Sequence, residues 1–292
     1  MNVSVIIPAY NESETIGEVI KKIKTVGAAF TAAPNEGFEI IVVDDGSTDN
    51  TADIAKKEGA AVISHPYNIG NGASVKTGVR AATKDYLVLM DGDLQHDPAD
   101  IPKLLAGLEK YDMVVGARTK GFHLSFIRSC LNSVLNKIAS MLANHKVEDL
   151  TSGFRAVKRE RMLEFLHLLP NTFSYPSTIT LAMFKAGYPV KYEELSTITK
   201  RSKGKSKIRL ISDGIRFLCI VARIIMLFDP LKFFLPVSFF LFMAGIILAV
   251  YQLVTKGGIF GGSLFTLLVS VFIFFFGFLS DQIASIRRQF HQ

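Results

Sequence analysis

Two stretches without a charged side chain, Phe233 to Thr255 and Gly257 to Ser280, set the terms for the rest of this 292-residue chain. Each exceeds the roughly 20 apolar residues that cross a bilayer as a helix. One such run alone could be a buried core helix. Two in succession, joined through Lys256-Gly257-Gly258, read as transmembrane helices at about 233–255 and 259–280.

The first residues, MNVSVIIPAYNE, have neither a basic leader nor a small-residue cleavage site, so no secretory signal is expected. The soluble part is therefore expected to stay on the cytoplasmic side. Arg287 and Arg288 follow the second span, whereas the turn between spans carries only Lys256, as the positive-inside rule asks. Cys130 and Cys219 are too few for a disulfide framework or a zinc site. The net charge of +7 draws on basic residues crowded between Lys200 and Arg223, beside the spans. That placement points to an anionic lipid bilayer as the partner and not to nucleic acid.

Ahead of the spans, five short apolar runs read as strands: VSVII (3–7), EIIVVD (39–44), AAVIS (60–64), YLVLM (86–90) and DMVVG (112–116). They are apolar almost throughout, as strands covered on both faces are. Helical patterns at Ser13–Ile23, Asp49–Glu58 and Pro98–Leu108 separate them, the last with proline in its first turn. This α/β alternation predicts a doubly wound parallel sheet. Beyond Gly116, residues 124–145 and 159–168 read as helices, and KYEELSTITKRSKGKSK holds a further strand and a basic loop. Residues 207–229 carry Arg209, Arg216 and Arg223 on one helical face and Ile211, Ile215, Leu218 and Ile225 opposite. This is the pattern of an amphipathic helix in the membrane interface. The expected organisation is an α/β domain at 1–206, the interfacial helix at 207–229 and a membrane anchor at 230–292.

In a parallel sheet, ligands bind at the carboxyl edge of the strands. Three strands end there in polar clusters: Pro8-Ala9-Tyr10-Asn11-Glu12, Asp44-Asp45-Gly46-Ser47 and Asp91-Gly92-Asp93. Two carboxylates as close as Asp91 and Asp93 repel one another unless a cation lies between or beside them. Hard oxygen ligands favour Mg²⁺ or Mn²⁺, and Gln95 can add a neutral oxygen. The glycine-rich NIGNGASVKTG (68–78) fails the phosphate-loop spacing, because Val75 stands where a glycine is required. It is left as either a turn near a nucleotide or a structural helix cap. Arg118, Arg128, Arg155 and the 200–207 loop supply groups that grip phosphate.

Taken together, VSVIIPAYNE, IIVVDDGSTDNT, NIGNGASVKTG, YLVLMDGDLQHDP, VVGAR, DLTSGFRAVKR and RSKGKSKI resemble glycosyltransferase family 2. Within it they resemble the dolichol-phosphate mannose synthase and polyprenyl-phosphate glycosyltransferase branch, including members with a two-span anchor. The resemblance covers roughly residues 3–210. It implies a GT-A fold, a nucleotide-sugar donor, a divalent metal and inversion at the anomeric carbon. Carried onto this chain, Pro8, Ala9, Tyr10, Glu12, Asp44 and Asp45 would hold the nucleoside, with Asp91 and Gly92 also on the donor side. Asp91, Asp93 and Gln95 would hold the metal on the diphosphate. Arg118, Arg128 and Arg201 would face the phosphates, with Lys207 beside them. Asp149, Ser152 and Gly153 match the D-x-x-S-G-F segment on the acceptor side, Ser152 near the acceptor phosphate and Asp149 as base or orienting group. The implied reaction is sugar transfer to a polyprenyl phosphate. Transfer to another lipid such as diacylglycerol, and a non-catalytic nucleotide-binding scaffold, are the alternatives. The chain has no tryptophan, so the Q-x-x-R-W motif of processive polysaccharide synthases is missing. Sugar identity, UDP or GDP as carrier, and a homo-oligomer are left open.

Overall fold

The computed structural model describes residues 1–30, 38–117, 143–172, 174–195, 229–258 and 261–289, with isolated residues at 133, 136, 137, 139–141, 222 and 226. The chain separates into two compact units, Met1–Ile208 and Arg209–Gln292.

In the first unit the elements run β1 (Val3–Ala9), α1 (Ile16–Phe30), β2 (Phe38–Asp44), α2 (Thr51–Lys57), β3 (Ala61–Ser64), α3 (Asn71–Ala81) and β4 (Tyr86–Leu89). They continue through a 3₁₀ turn (Pro98–Asp100) into α4 (Ile101–Gly107), β5 (Met113–Ala117), β6 (Arg155–Lys158), α5 (Arg159–Glu164), α6 (Tyr175–Lys185) and β7 (Val190–Glu194). All five strands expected from apolar runs are present, and β7 falls in the segment expected to hold a sixth. β1 and β5 are buried along their whole length, and β4 at all but its first residue, Tyr86. Their continuous apolar character follows from helices covering both faces.

The five expected strands run parallel to one another, as read, and the sheet also takes in an antiparallel strand that the reading did not contain. The seven strands lie in the order β3-β2-β1-β4-β6-β5-β7. β6 runs antiparallel to both β4 and β5, pairing Leu89 with Arg155 and Val115 with Arg155. At four residues, RAVK, it is too short for its direction to be legible from periodicity. The consequence is geometric. An antiparallel strand begins where its parallel neighbours end, so the turn before β6 is delivered to their carboxyl edge.

Helix packing fixes how close α3 comes to the sheet. A Cβ placed on Gly78 would lie 2.4 Å from Ile6 Cγ2, so only glycine allows this approach of α3 to β1. The core on the α1/α4 side gathers Val5, Ile7, Ile16, Ile20, Val88, Ile101, Leu105 and Phe154.

The second unit is a helical hairpin, α7 (Leu231–Lys256) and α8 (Gly261–Gln289). α7 starts directly after Pro230 and ends at Gly257, whose φ of 67° is the left-handed helix stop that glycine adopts without strain. Mean hydropathy reaches 2.5 and 2.3 in the two helices, and only 11% and 17% of those stretches is buried. They are therefore not core helices of a water-soluble domain. Small residues let them meet closely: a Cβ on Gly277 would lie 2.5 Å from Phe234, and one on Gly245 2.8 Å from Leu267. Ser263 donates to Gln252 Oε1 across the hairpin at 2.8 Å. Close contact at small residues with a polar bond is how helices associate in lipid. The helix expected at 207–229 lies almost wholly outside the described residues.

Candidate functional site

Parallel pairing places the ends of β1, β2 and β4 side by side. Ala9 is in register with Asp44, and Ile6 with Leu89, which sets Asp91 level with Pro8. Hydrogen bonds then weld the three turns together. Asp45 N–H donates to Ala9 O at 2.8 Å, Asn11 N–H to Ser47 Oγ at 2.9 Å, and Glu12 N–H to Thr51 Oγ1 at 2.9 Å. Thr15 donates its hydroxyl to Gly92 O at 2.7 Å and lies 3.3 Å from Glu12 Oε2. The convergence read from the sequence is thus present: Pro8, Ala9, Tyr10, Glu12, Asp44, Asp45, Asp91, Gly92 and Asp93 share one edge.

Their exposures differ in a useful way. Pro8, Ala9, Gly92, Asp44 and Asp45 are buried, while Tyr10 is exposed and Asp91, Asp93 and Gln95 are half-buried. Asp45 is occupied by the protein itself. Its Oδ1 meets His65 Nδ1 at 2.8 Å and accepts from Ile69 N–H at 3.0 Å, and its Oδ2 accepts from Gly70 N–H at 2.8 Å. His65 Nε2 in turn lies 2.9 Å from Thr77 Oγ1 on α3. Asp45 therefore straps the 65–70 loop to the end of β2. Asp44 accepts from Ser47 N–H at 3.2 Å, closing the β2 turn.

This bears on the glycine-rich 68–78 segment. The first amides of α3 are spent inside the protein, Gly72 N–H on Thr172 O and Ala73 N–H on Asn171 O. A Cβ on Gly72 would lie 2.0 Å from Pro170 O. Of the two readings left open, the structural one is supported: these glycines admit the 170–172 loop.

In the DGDLQ turn, Asp93 Oδ1 accepts from Gln95 N–H at 3.1 Å, and Leu94 adopts φ 58° while packing against the core. Asp97 accepts from Ala99 N–H at 3.1 Å and caps the following turn. His96 stacks on Phe154 at 5.3 Å. Among the described residues no three His, Cys, Asp or Glu side chains are grouped as a metal cage. Asp91 and Asp93 on one turn, with Gln95 two residues further on, fit a different kind of site. Mg²⁺ and Mn²⁺ commonly take one or two carboxylates and fill the remaining positions with substrate phosphate and water.

The D-x-x-S-G segment arrives at the same edge because β6 is antiparallel. Asn136 holds it from one side, donating to Glu148 O at 2.7 Å and accepting from Leu150 N–H at 3.2 Å. Asp149 Oδ1 accepts from both the amide and hydroxyl of Thr151 at 3.1 Å. Gly153 packs on Asp91, with 2.9 Å between its would-be Cβ and Asp91 Oδ2. Ser152 is buried beside it.

Arg155 departs from its sequence reading as a phosphate-gripping group. It is wholly enclosed, and donates to Pro176 O at 3.0 Å, to Thr180 Oγ1 at 3.1 Å and to Ser152 O. Burial depresses its pKa, opposed by Tyr175, Tyr192, Asp149 and Asp91. Arg118, Arg128, Arg201 and Lys207 lie outside the described residues.

Sequence reasoning missed Thr15, His65, Arg155 in this role, and Tyr175, whose hydroxyl donates to Gly153 O at 3.3 Å. No local signal marks Thr15 or Tyr175, because their partners are distant in the chain. His65 had one faint cue, a histidine directly after a strand facing two aspartates.

Against known proteins, residues 4–163 match the model of glycosyl transferase family 2, and residues 229–286 match the GtrB C-terminal hairpin. Glycosyltransferase AglJ of Haloferax volcanii is 27% identical over 98% of this chain and 95% of its own. Dolichol-phosphate mannosyltransferase of Pyrococcus furiosus is 32% identical over 72% of this chain and 60% of its own. Among solved structures, glucosyl-3-phosphoglycerate synthase of Mycobacterium tuberculosis, crystallised with Mn²⁺, UDP and glucosyl-3-phosphoglycerate, aligns with a TM-score of 0.57. That alignment covers 77% of this chain and 78% of the other at 24% identity, a likeness of fold.

Proposed function

The chain belongs to glycosyltransferase family 2, and on that premise we propose that it moves one sugar from a UDP- or GDP-sugar to a polyprenyl phosphate, dolichyl or undecaprenyl, at the cytoplasmic face of a membrane. The observation that carries this reading is the meeting of three acidic strand ends with the D-x-x-S-G turn, in a chain that also bears a membrane-length hairpin. Transfer to a lipid carrier agrees with the hairpin match and with the dolichol-phosphate relative.

In this mechanism the β1 and β2 turns cradle the nucleoside, with Tyr10 exposed at the rim and Asp44 at its floor. Asp91, Asp93 and Gln95 would hold Mg²⁺ or Mn²⁺ on the diphosphate. When bound, that ion supplies Lewis-acid neutralisation of the departing nucleoside diphosphate. The acceptor oxygen attacks the anomeric carbon as the bond to the diphosphate breaks, inverting the centre. A phosphate monoester has its second pKa near 6 and is mostly dianionic at pH 7, so no general base is required. Asp149 suits orientation better than proton removal, since one of its oxygens already accepts twice from Thr151. Arg118, Arg128, Arg201 and Lys207 are proposed for the phosphates.

The test is incubation of purified full-length protein with Mg²⁺ or Mn²⁺, a polyprenyl phosphate and a panel of labelled nucleotide sugars. Label entering the lipid phase from one donor is the expected result. Transfer to diacylglycerol instead would move the acceptor assignment, and donor binding without any transfer would leave a scaffold.

A further inference from the structure

We infer that the Ser152–Gly153 turn is a backstop that aims the Asp91 carboxylate, and that the enclosed Arg155 and Tyr175 are positioning residues that hold this turn. The inference deepens the proposed function and rests on its reading of Asp91 as a metal carboxylate.

The chain of contacts is short. Both carbonyls of the turn are gripped from within: Ser152 O by the Arg155 guanidinium, Gly153 O by the Tyr175 hydroxyl at 3.3 Å. Arg155 and Tyr175 also support one another, with the guanidinium carbon 5.9 Å from the ring centre. Arg155 is itself moored to α6 through Pro176 O and Thr180 Oγ1. A hydrogen bond from a charged donor in an enclosed site is stronger than a neutral one and fixes its acceptor's direction. The turn so held stands directly against Asp91 Oδ2, leaving no room for even a methyl group on Gly153. A carboxylate side chain has several staggered positions open to it. With Gly153 behind it, rotation of the carboxylate further towards β6 is blocked. Groups that orient a ligating carboxylate typically matter about 10–100-fold in metal affinity.

Two substitutions separate this role from simple packing. Gly153→Ala adds one methyl group that forces the Asp91 carboxylate to move. Tyr175→Phe removes one hydroxyl and adds nothing. Mn²⁺ affinity of the full-length protein in detergent, measured by the electron paramagnetic resonance of free Mn²⁺ without donor, is the readout. Asp91→Asn is the reference, and circular dichroism reports the fold. The expectation is about 10-fold or greater weakening for Gly153→Ala and a smaller, clear loss for Tyr175→Phe. If Gly153→Ala does not fold, Tyr175→Phe decides alone. If Asp91→Asn loses Mn²⁺ while the folded variants bind within about twofold of the parent, the backstop is overturned and the metal reading stands. If Asp91→Asn itself binds like the parent, the metal reading of Asp91 falls.

Discussion

Leu94 stands at φ 58°, a conformation that costs a non-glycine residue of order 1–3 kcal/mol. The side chain, partly buried, packs against the core, and the turn is closed by Gln95 N–H donating to Asp93 Oδ1 at 3.1 Å. Strain of this kind collects at functional sites, and here it lies inside the proposed metal turn. Asp93→Ala is expected to abolish metal-dependent transfer, scored as label in the lipid phase, with the melting temperature held within a few degrees. Asp149→Asn is expected to keep near-parental kcat, since the amide retains an oxygen for Thr151. A loss of about 10³-fold or more in kcat would instead mark Asp149 as the base. The acids themselves were legible in the sequence, because a strand that ends in Asp-Gly-Asp has only one edge to end at. Thr15, His65 and Tyr175 were not, since each acts on a partner 20 or more residues away.

Among the elements, β6 is the one that changes the site. A parallel strand there would have opened at the far edge and taken Ser152 and Gly153 away from Asp91. Four residues cannot announce their direction, so this part of the fold was closed to sequence reading, as was α6, whose apolar run lacks a clear face. The helices with strong signals were found because capping and periodicity are local. Two expectations belong at this scale. Gly78→Val should drive α3 off β1 and destabilise the protein by about 1–3 kcal/mol, the usual cost of overpacking, read from denaturant unfolding of detergent-solubilised protein. Tyr175 on α6 and Tyr192 on β7 flank Arg155, and burial is the main cause raising both phenols well above their ordinary value of 10.0. An acid whose folded pKa is raised binds its proton more tightly in the fold than in the unfolded chain. Their contribution is whole below pH 10 and is lost as pH rises beyond it. Unfolding against pH should therefore show an alkaline limb starting near pH 10, and Tyr175→Phe should flatten it.

For the molecule as a whole, the two units solve different solvation problems. The first covers a sheet on both faces and leaves a polar edge, the side proposed for a water-soluble donor. The second turns apolar side chains outward, with Phe240 72% and Val254 79% exposed, an arrangement that is costly in water and favourable in hydrocarbon. Membrane association follows from that surface and from the match to the GtrB hairpin. Two apolar helices of this length, if both cross the bilayer as proposed, resist extraction by salt, because screening weakens attraction between charges and leaves apolar burial intact. The protein should thus stay with the membrane pellet in 1 M salt and leave it only with detergent. Release by salt alone would reduce the hairpin to a peripheral contact. On the proposed function, the enzyme meets a lipid acceptor in two dimensions. At fixed total polyprenyl phosphate, diluting the acceptor with inert lipid in the same vesicles should lower the transfer rate roughly in proportion to its mole fraction. An enzyme drawing its acceptor from bulk water would show no such dependence, and a flat response would place the acceptor outside the membrane.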